Sequence, residues 1–305
     1  MKNQQIRGLV QIAESGSIRA AAREMRLSQS ALTRAMRELE EDVGAELFSR
    51  SYRGVTYTPA GEALLIRARL ILETIERARD EVKQISGGKG ARVRVGITPI
   101  VAITFFPEVY RQFVQAIPDA SLSLTEGLLT GILPDLIEGK LDFGVALATP
   151  EELPSELSFT AVSKVHSCVA GRIGHPNAQT LQWEELLEQR WILNLNKGSS
   201  SNLLLNWLEE QRLPRPASIV QCTSPQIMLE MMRRTDLIGY GPKGIFEDNM
   251  SGAGVIPFKI EPQPHETAIG IIRVRGIPLT PAAKFLETLV QRNLGHLNES
   301  ADLPG

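Results

Sequence analysis

Cysteine, histidine and aromatic side chains are scarce in this 305-residue chain, which has two Cys, four His and only 5% Phe, Trp and Tyr. Two cysteines are too few for a disulfide framework. The histidines show no metal-ligand spacing, and neither an HExxH nor a GxSxG motif occurs. We therefore expect no metal, no cofactor and no enzymatic activity.

Long apolar runs are also missing, and residues 1–7 are polar, unlike a signal peptide. These features predict a soluble protein of the cytoplasm without a membrane partner. The net charge of −2 is unevenly spread: residues 1–92 carry 16 basic and 12 acidic side chains, and the remainder carries 17 and 23. The acidic remainder would repel a polyanion, so such a partner should dock at the amino end.

Two short helical patterns follow one another near the amino terminus. Ser17 can cap an Ala-rich helix that ends near Met25, and Ser28 can cap a second helix that ends at about Val43. Small Ala side chains allow two helices to cross closely, as a helix-turn-helix requires. The second helix has one apolar stripe at the spacing of a buried face, formed by Leu32, Met36, Leu39 and Val43.

The opposite face of the second helix has side chains suited to a DNA major groove, namely Gln29, Ser30, Thr33, Arg34 and Arg37. Gln can pair with adenine, Arg with guanine, and Thr with a base edge or a phosphate. No acidic residue interrupts this face before Glu38. The alternative is an ordinary amphipathic helix whose polar face is merely solvated.

A basic, β-prone segment over residues 49–57 comes next and turns at Arg53-Gly54. This pattern is typical of a small hairpin, or wing, in which Arg50 and Arg53 meet phosphates or a minor groove. The sequence thus predicts a winged helix-turn-helix over residues 1–57. Its expected contacts with double-stranded DNA are Ser17, Ser28, Gln29, Ser30, Thr33, Arg34, Arg37, Arg50 and Arg53.

A long helix is predicted to start at Pro59, which follows the capping residue Thr58, and to end before Gly87-Gly88. Its apolar residues recur every three or four positions as a heptad seam: Leu64, Ala68, Ile71, Ile75, Ala78, Val82 and Ile85. We expect this seam to pair with a second copy, because a two-fold dimer can read two half-sites. The alternative is that the seam packs only on the chain's own DNA-binding helices.

These segments together resemble the LysR-type transcriptional regulators, a bacterial family. The resemblance rests on Ala20-Ala21-Ala22, Leu27-Ser28-Gln29-Ser30-Ala31-Leu32-Thr33, Leu39-Glu40, Gly44-Ala45-Glu46-Leu47-Phe48 and Thr58-Pro59-Ala60-Gly61. Many members have Pro where Ser30 stands and Ser where Thr33 stands, so an operator sequence does not carry over. The resemblance implies an oligomeric regulator, a dimer and by family habit a tetramer, that contacts RNA polymerase and responds to a small-molecule effector.

The remaining two thirds of the chain alternates strand-like and helical runs, such as Val93–Ile97 followed by Phe106–Gln115. This alternation predicts an α/β fold with mainly parallel sheets, and about 200 residues are long for one small sheet. The resemblance implies a periplasmic-binding-protein-like (type 2) pair of subdomains. The expected bounds are a linker helix over 58–87, a hinge over 88–92 and an effector domain over 91–299, with subdomain I as 91–161 and 269–299 and subdomain II as 162–268.

The effector cleft should lie where strand ends and helix starts converge, because helix starts offer free N–H groups. Residues 98–100 and 196–202 fit this description, and an organic acid would sit between them. The alternative is that Ser199 or Ser200 only caps a helix. The predicted effector-binding residues are Thr98, Pro99, Ile100, Leu128, Thr130, Asn196, Ser199, Ser200 and Thr223.

The sequence gives less support to three other functions: dinucleotide binding, redox sensing and solute binding. Residues 239–244 fit GxGxxG, but Pro242 interrupts the loop, so a turn lining the effector cleft is favoured over a dinucleotide site. Cys168 and Cys222 would make a redox pair, yet both lie in apolar strand-like segments where a buried free thiol is ordinary. A soluble solute-binding protein would explain the second part of the chain but not the DNA-reading face.

Overall fold

The computed structural model describes residues 1–51, 54–148, 153–180 and 182–301, and it separates into two units. The first unit comprises Met1–Gly88 with the short segment Ile137–Lys140. The second unit comprises Lys89–Leu136 and Leu141–Gly305. Each unit has its own buried apolar residues, and each is described by itself below.

The first unit is a small helical domain with a two-stranded hairpin. Its elements are α1 (Asn3–Ser15), α2 (Ile18–Glu24), α3 (Gln29–Val43), β1 (Phe48–Ser51), β2 (Gly54–Tyr57) and α4 (Pro59–Ile85). β1 and β2 pair in antiparallel register, so the winged helix-turn-helix predicted from the sequence is confirmed. α1 was not predicted, because its start at Lys2 has no Ser, Thr, Asp or Asn cap.

Local capping explains why the helices of the first unit begin and end where they do. The hydroxyl oxygens of Ser17, Ser28 and Thr58 accept hydrogen bonds from the backbone N–H three residues later. Gly16 and Gly44 end α1 and α3 in the left-handed conformation, with φ of 70° at both positions. The helices then bury one apolar cluster, which includes Leu9, Ile12, Ala21, Leu32, Leu39 and Leu47.

The junction between the hairpin and α4 is held by residues of the family motif. The Glu40 carboxylate accepts hydrogen bonds from the backbone N–H of Leu47 at 2.8 Å and of Phe48 at 3.3 Å. The Thr58 hydroxyl donates to the Glu46 carbonyl at 2.6 Å. A Cβ at Gly61 would lie 2.1 Å from the Leu47 carbonyl oxygen, so only glycine allows α4 to approach this closely.

The second unit contains two five-stranded sheets and eight helices among the described residues. Its elements are β3 (Arg92–Ile97), α5 (Pro99–Thr104), α6 (Phe106–Ala116), β4 (Ser121–Glu126), α7 (Leu129–Ile137), β5 (Phe143–Leu147), β6 (Leu157–Val165), β7 (Ser167–Arg172), α8 (Trp183–Leu187), β8 (Arg190–Leu193), α9 (Ser200–Glu210), β9 (Ser218–Gln221), α10 (Pro225–Arg234), β10 (Ile238–Pro242), α11 (Lys243–Glu247), β11 (Val255–Pro257), β12 (Thr267–Val274) and α12 (Pro281–Ala301). The strand orders are β4-β3-β5-β12-β6 and β11-β7-β10-β8-β9.

The sheets are mixed, because one strand of each sheet runs antiparallel to both of its neighbours, so the expectation of mainly parallel sheets was wrong for β12 and β7. β3 pairs in parallel with β4 and β5, and β8 pairs in parallel with β9 and β10. β12 runs antiparallel to β5 and β6, and β7 runs antiparallel to β10 and β11. The physical reason is that the chain crosses from one sheet to the other after β6 and returns at β12, so these strands enter their sheets from the opposite direction.

Apolar burial holds both sheets together. One cluster packs α6 and α12 on the first sheet and includes Val93, Phe113, Val145 and Leu286. Another surrounds Trp191 in the second sheet, where the rings of Trp183 and Trp207 lie 5.0 Å apart. Among the described helices, none is long and apolar enough to cross a membrane.

Candidate DNA-binding surface and effector cavity

The start of α3 presents the side chains that the sequence suggested for DNA contact. Gln29, Ser30, Thr33, Arg34 and Arg37 line one shallow depression of the surface. The Arg34 side chain is 80% exposed, and its ion-pair partner, Glu38, lies 3.8 Å away. The Thr33 hydroxyl donates to the Gln29 carbonyl at 2.8 Å, so it is engaged with its own helix. The long side chains of this row extend from a helix that is capped at both ends.

Ser17 and Ser28 have structural roles in addition to any contact with DNA. The Ser17 hydroxyl accepts from the Ala20 N–H at 3.1 Å, and the Ser28 hydroxyl accepts from the Ala31 N–H at 3.1 Å. Both oxygens are therefore occupied in capping α2 and α3. At these positions DNA would therefore contact the backbone N–H groups that the start of a helix leaves unpaired.

The wing arginines are only partly described. Arg50 lies in β1, where it pairs with Val55, and nothing is described of its side chain. Arg53 lies outside the described residues. Their proposed phosphate contacts therefore stay predictions.

The heptad seam of α4 divides into two parts. Leu64 and Ala68 pack on the apolar cluster of the first unit, so the intrachain alternative applies to them. Ile71, Ala78, Val82 and Ile85 are exposed, with Val82 at 65% and Ile85 at 73% exposure, and Ile75 is half-buried. Val82 and Ile85 therefore leave the end of the seam open in the single chain.

The second unit contains a cavity of about 100 Å³ between its two sheets. It is lined by Thr98, Pro99, Ile100, Leu128, Leu147, Asn194, Gly198, Ser199, Ser200, Ser201, Pro225, Met228, Leu229, Met232, Tyr240, Gly241, Pro242, Ile245 and Phe246. Six of the predicted effector residues are in this lining: Thr98, Pro99, Ile100, Leu128, Ser199 and Ser200. The other three, Thr130, Asn196 and Thr223, are exposed and lie outside it.

The polar end of the cavity is formed by the loop between β8 and α9. The Ser199 hydroxyl donates to the Asn194 carbonyl and accepts from the Asn202 N–H at 3.0 Å. Ser199 is therefore a helix cap, as the simpler alternative held, whereas no such role is found for the Ser200 side chain among the described hydrogen bonds. The Thr130 hydroxyl donates to the carbonyl of Lys197, in the same loop, at 3.4 Å.

Several lining residues were not predicted, and they supply most of the apolar wall. Met228, Leu229 and Met232 come from α10, while Ile245 and Phe246 come from α11. The glycine-rich segment contributes Gly241 and Pro242 to the lining, in keeping with a cleft-lining turn. Its following helix, α11, has only five residues.

The two cysteines are both free thiols. Cys168 is buried in β7, and this burial raises the pKa of its thiol to about 12, with the Glu247 carboxylate acting in the same direction. A thiol with such a pKa is almost wholly protonated at neutral pH and is a poor nucleophile. Within the described part of the chain, no group of three His, Cys, Asp or Glu is placed to hold a metal ion.

These features define a class of protein. A winged helix-turn-helix, a long helix with an open apolar face, and a two-sheet α/β unit with an internal cavity make the architecture of a ligand-responsive transcriptional regulator. Residues 3–62 match the family described as bacterial regulatory helix-turn-helix protein, lysR family, and residues 86–295 match the LysR substrate binding domain. The chain belongs to the LysR family of transcriptional regulators.

Individual relatives agree with this assignment. The transcriptional regulator TdcA of Escherichia coli (strain K12) is 28% identical over 204 residues, which are 67% of this chain and 65% of TdcA. The match thus spans slightly less than two thirds of that relative. These comparisons do not support the solute-binding or the redox alternative.

Solved structures share the fold. A full-length OxyR variant from Pseudomonas aeruginosa, with a cysteine replaced by aspartate, has a TM-score of 0.68 at 21% identity, covering 95% of both chains. Full-length CbnR, complexed with its target DNA, has a TM-score of 0.65 at 21% identity, covering 96% of this chain and 100% of that one.

Proposed function

We propose that this chain is a sequence-specific DNA-binding transcriptional regulator controlled by a small-molecule effector. The observation that carries the proposal is the exposed row on α3, where Gln29, Arg34 and Arg37 extend from one face of a capped helix. A helix start with long hydrogen-bonding side chains is what a major groove accepts. The solved complex of CbnR with its target DNA supports this use of the shared fold.

Roles within the surface follow from side-chain chemistry. We assign base reading to Gln29 and Arg34, because amide and guanidinium groups recognise adenine and guanine edges. Arg37 and the wing residues Arg50 and Arg53 would meet phosphates, which position the protein without reading sequence. The backbone N–H groups of the helix starts capped by Ser17 and Ser28, together with Ser30 and Thr33, complete the proposed contact set.

A second copy of the chain is the proposed partner for the open part of the α4 seam. Burial of Val82 and Ile85 against their counterparts would remove exposed apolar surface from water. The dimer would present two α3 helices to two half-sites of one duplex. Assembly to a tetramer, contact with RNA polymerase and action in the cytoplasm belong to the same proposal.

The cavity of the second unit is the proposed effector site. Its lining draws Thr98 from the end of β3 in one sheet and Asn194 from the end of β8 in the other. A ligand that contacts both would favour the closed arrangement of the two sheets. We propose that this closure alters DNA bending and so transcription. The proposed parts are a DNA-binding domain over residues 1–57, a linker helix over 58–87, a hinge over 88–92 and an effector domain over 91–299.

The experiment that tests this function uses the purified full-length chain. Genomic fragments of the source organism are selected by the protein, footprinted, and then tested in competition with random duplexes at several salt concentrations. The expected result is a protected site that survives random competitor, with an affinity that falls as salt rises. Equal affinity for all duplexes, or no binding at low salt, would contradict the proposal.

A further inference from the structure

We propose that the effector is a small monocarboxylate with a compact apolar body and no amino group. This inference rests on the proposed function in taking the cavity as the effector site. It goes beyond that function in naming the ligand's charge, its hydrogen-bonding pattern and its size.

The polar end of the cavity offers hydrogen-bond donors. Asn194 is only 9% exposed, and its Oδ1 accepts from the Asn196 N–H at 3.0 Å, which orients the amide and leaves its Nδ2 group for the cavity. No partner for Nδ2 is found among the described residues. The backbone N–H groups of Ser200 and Ser201, at the start of the eleven-residue α9, also lack partners in the described part of the chain. A carboxylate is an acceptor-only group and matches this set.

The absence of charged side chains from the described lining narrows the class of ligand further. Among the described residues that line the cavity, none is acidic or basic. An amine would find no carboxylate there and would face the positive end of α9. A single carboxylate needs no basic partner at a helix start, because the unpaired N–H groups and the helix dipole stabilise it. A zwitterion or a dicarboxylate would leave one charge buried without a partner.

The rest of the cavity wall is apolar, and the space that it encloses is small. Leu128, Leu147, Met228, Met232, Ile245 and Phe246 surround the space beyond the donors. The volume is about 100 Å³. An apolar cavity of roughly 150 Å³ holds benzene, so a ligand of this smaller cavity should have no more than about six heavy atoms.

Four small probes test the ligand class on the full-length protein: isobutyrate, isobutyramide and isobutylamine, which have matched apolar bodies, and benzoate, a carboxylate with a larger body. Binding is measured by NMR titration. We expect isobutyrate to bind about tenfold tighter than isobutyramide, whose NH₂ group would face other donors and stay unpaired. Isobutylamine should bind least, and benzoate should bind less tightly than isobutyrate because of its size.

Three variants of lining residues, with one control variant, test whether the probes bind in the cavity. Asn194→Ala should weaken isobutyrate about tenfold, whereas Asn206→Ala, the same change on the exposed side of α9, should have no effect. Asn194→Asp keeps the acceptor for the Asn196 N–H and adds a negative charge, so it should reverse the preference from isobutyrate to isobutylamine. Met228→Ala enlarges the cavity and should bring benzoate to at least the affinity of isobutyrate.

The outcomes separate this inference from the proposed function. If isobutylamine or isobutyramide binds as tightly as isobutyrate, or if none of the four probes binds a preparation that still recognises its DNA site, the ligand class is wrong. An unchanged preference in Asn194→Asp, with the fold intact by circular dichroism, would also overturn it. If isobutyrate binds as described but no DNA site can be selected, the ligand class stands and the proposed DNA-binding function fails.

Discussion

Replacing Arg34 with alanine should separate DNA recognition from folding. The Arg34 side chain is 80% exposed, and its ion pair with Glu38, one turn later at 3.8 Å, is a surface pair. Such a pair contributes about 0.3–0.5 kcal/mol, and alanine, the best helix former, offsets part of that loss. The free energy of unfolding should therefore change by no more than about 0.5 kcal/mol.

The effect on DNA binding should be much larger. Removing an arginine that contacts a guanine edge costs about 1–3 kcal/mol, which is roughly a 5- to 150-fold loss of affinity for the selected site. Affinity for random duplexes should change little, because a base contact contributes only where the base is correct. The ratio between specific and random affinity is thus the quantity that decides the role of Arg34.

The assay is fluorescence anisotropy with the selected site and a scrambled duplex at two salt concentrations. Arg215→Ala, the same change at an exposed position of the second unit, is the matched control. An equal loss on both duplexes, with a reduced salt dependence, would mean that Arg34 contacts a phosphate instead. Unchanged affinity for both would remove Arg34 from the interface.

Three further predictions concern assembly and stability. Val82→Asp should raise the dissociation constant of the proposed dimer more than about a hundredfold, because each dimer would lose two valines that its interface would bury. Sedimentation velocity checks this, and Ile66→Asp, off the seam, should leave the dimer intact. Gly61→Ala forces a methyl group against a carbonyl oxygen 2.1 Å away and should cost about 1–3 kcal/mol in thermal unfolding, whereas Gly131→Ala, with open space at its Cβ, should not destabilise the protein. Burial raises the pKa of Tyr57 from 10.0 to about 12, against a smaller lowering by a nearby arginine. The unfolded chain therefore releases this proton at a lower pH than the folded chain, and the free energy of unfolding should fall as pH rises from 10 to 12. The Tyr57→Phe variant should lose less stability over this range, and an identical alkaline loss in both proteins would contradict the assignment.

Prediction from sequence succeeded where the signals were local. The limits of α2 and α3 followed from Ser17 and Ser28, because a helix cap is read from the residue itself and its next three neighbours. The wing followed from the β-prone segment that turns at Arg53-Gly54, and the start of α4 followed from Thr58-Pro59. Helix α1 has no such cap, and β6, β11 and β12 were not predicted, because strands without clear turn signals depend on neighbours distant in the chain.

The cavity proposed as the effector site could be predicted only in part. Residues 98–100 and 199–200 were found because they stand between a strand and a helix start. Asn194 carries no motif, and α10 and α11 have the apolar spacing of any core helix, so their place in the wall depends on how two sheets face each other. For the same reason Thr130, Asn196 and Thr223, which have suitable chemistry, lie outside the lining.

The amino-acid sequence by itself determined the winged helix-turn-helix and the family, because helix caps, turns and the polar face of α3 each depend on a few neighbouring residues. Tertiary structure alone decided which apolar surfaces find a partner inside the chain. Leu64 and Ala68 are covered by the first unit, while Val82 and Ile85, two and three heptads farther along the same seam, remain open. Burial depends on what the rest of the chain brings to a surface, and residue spacing does not contain that information.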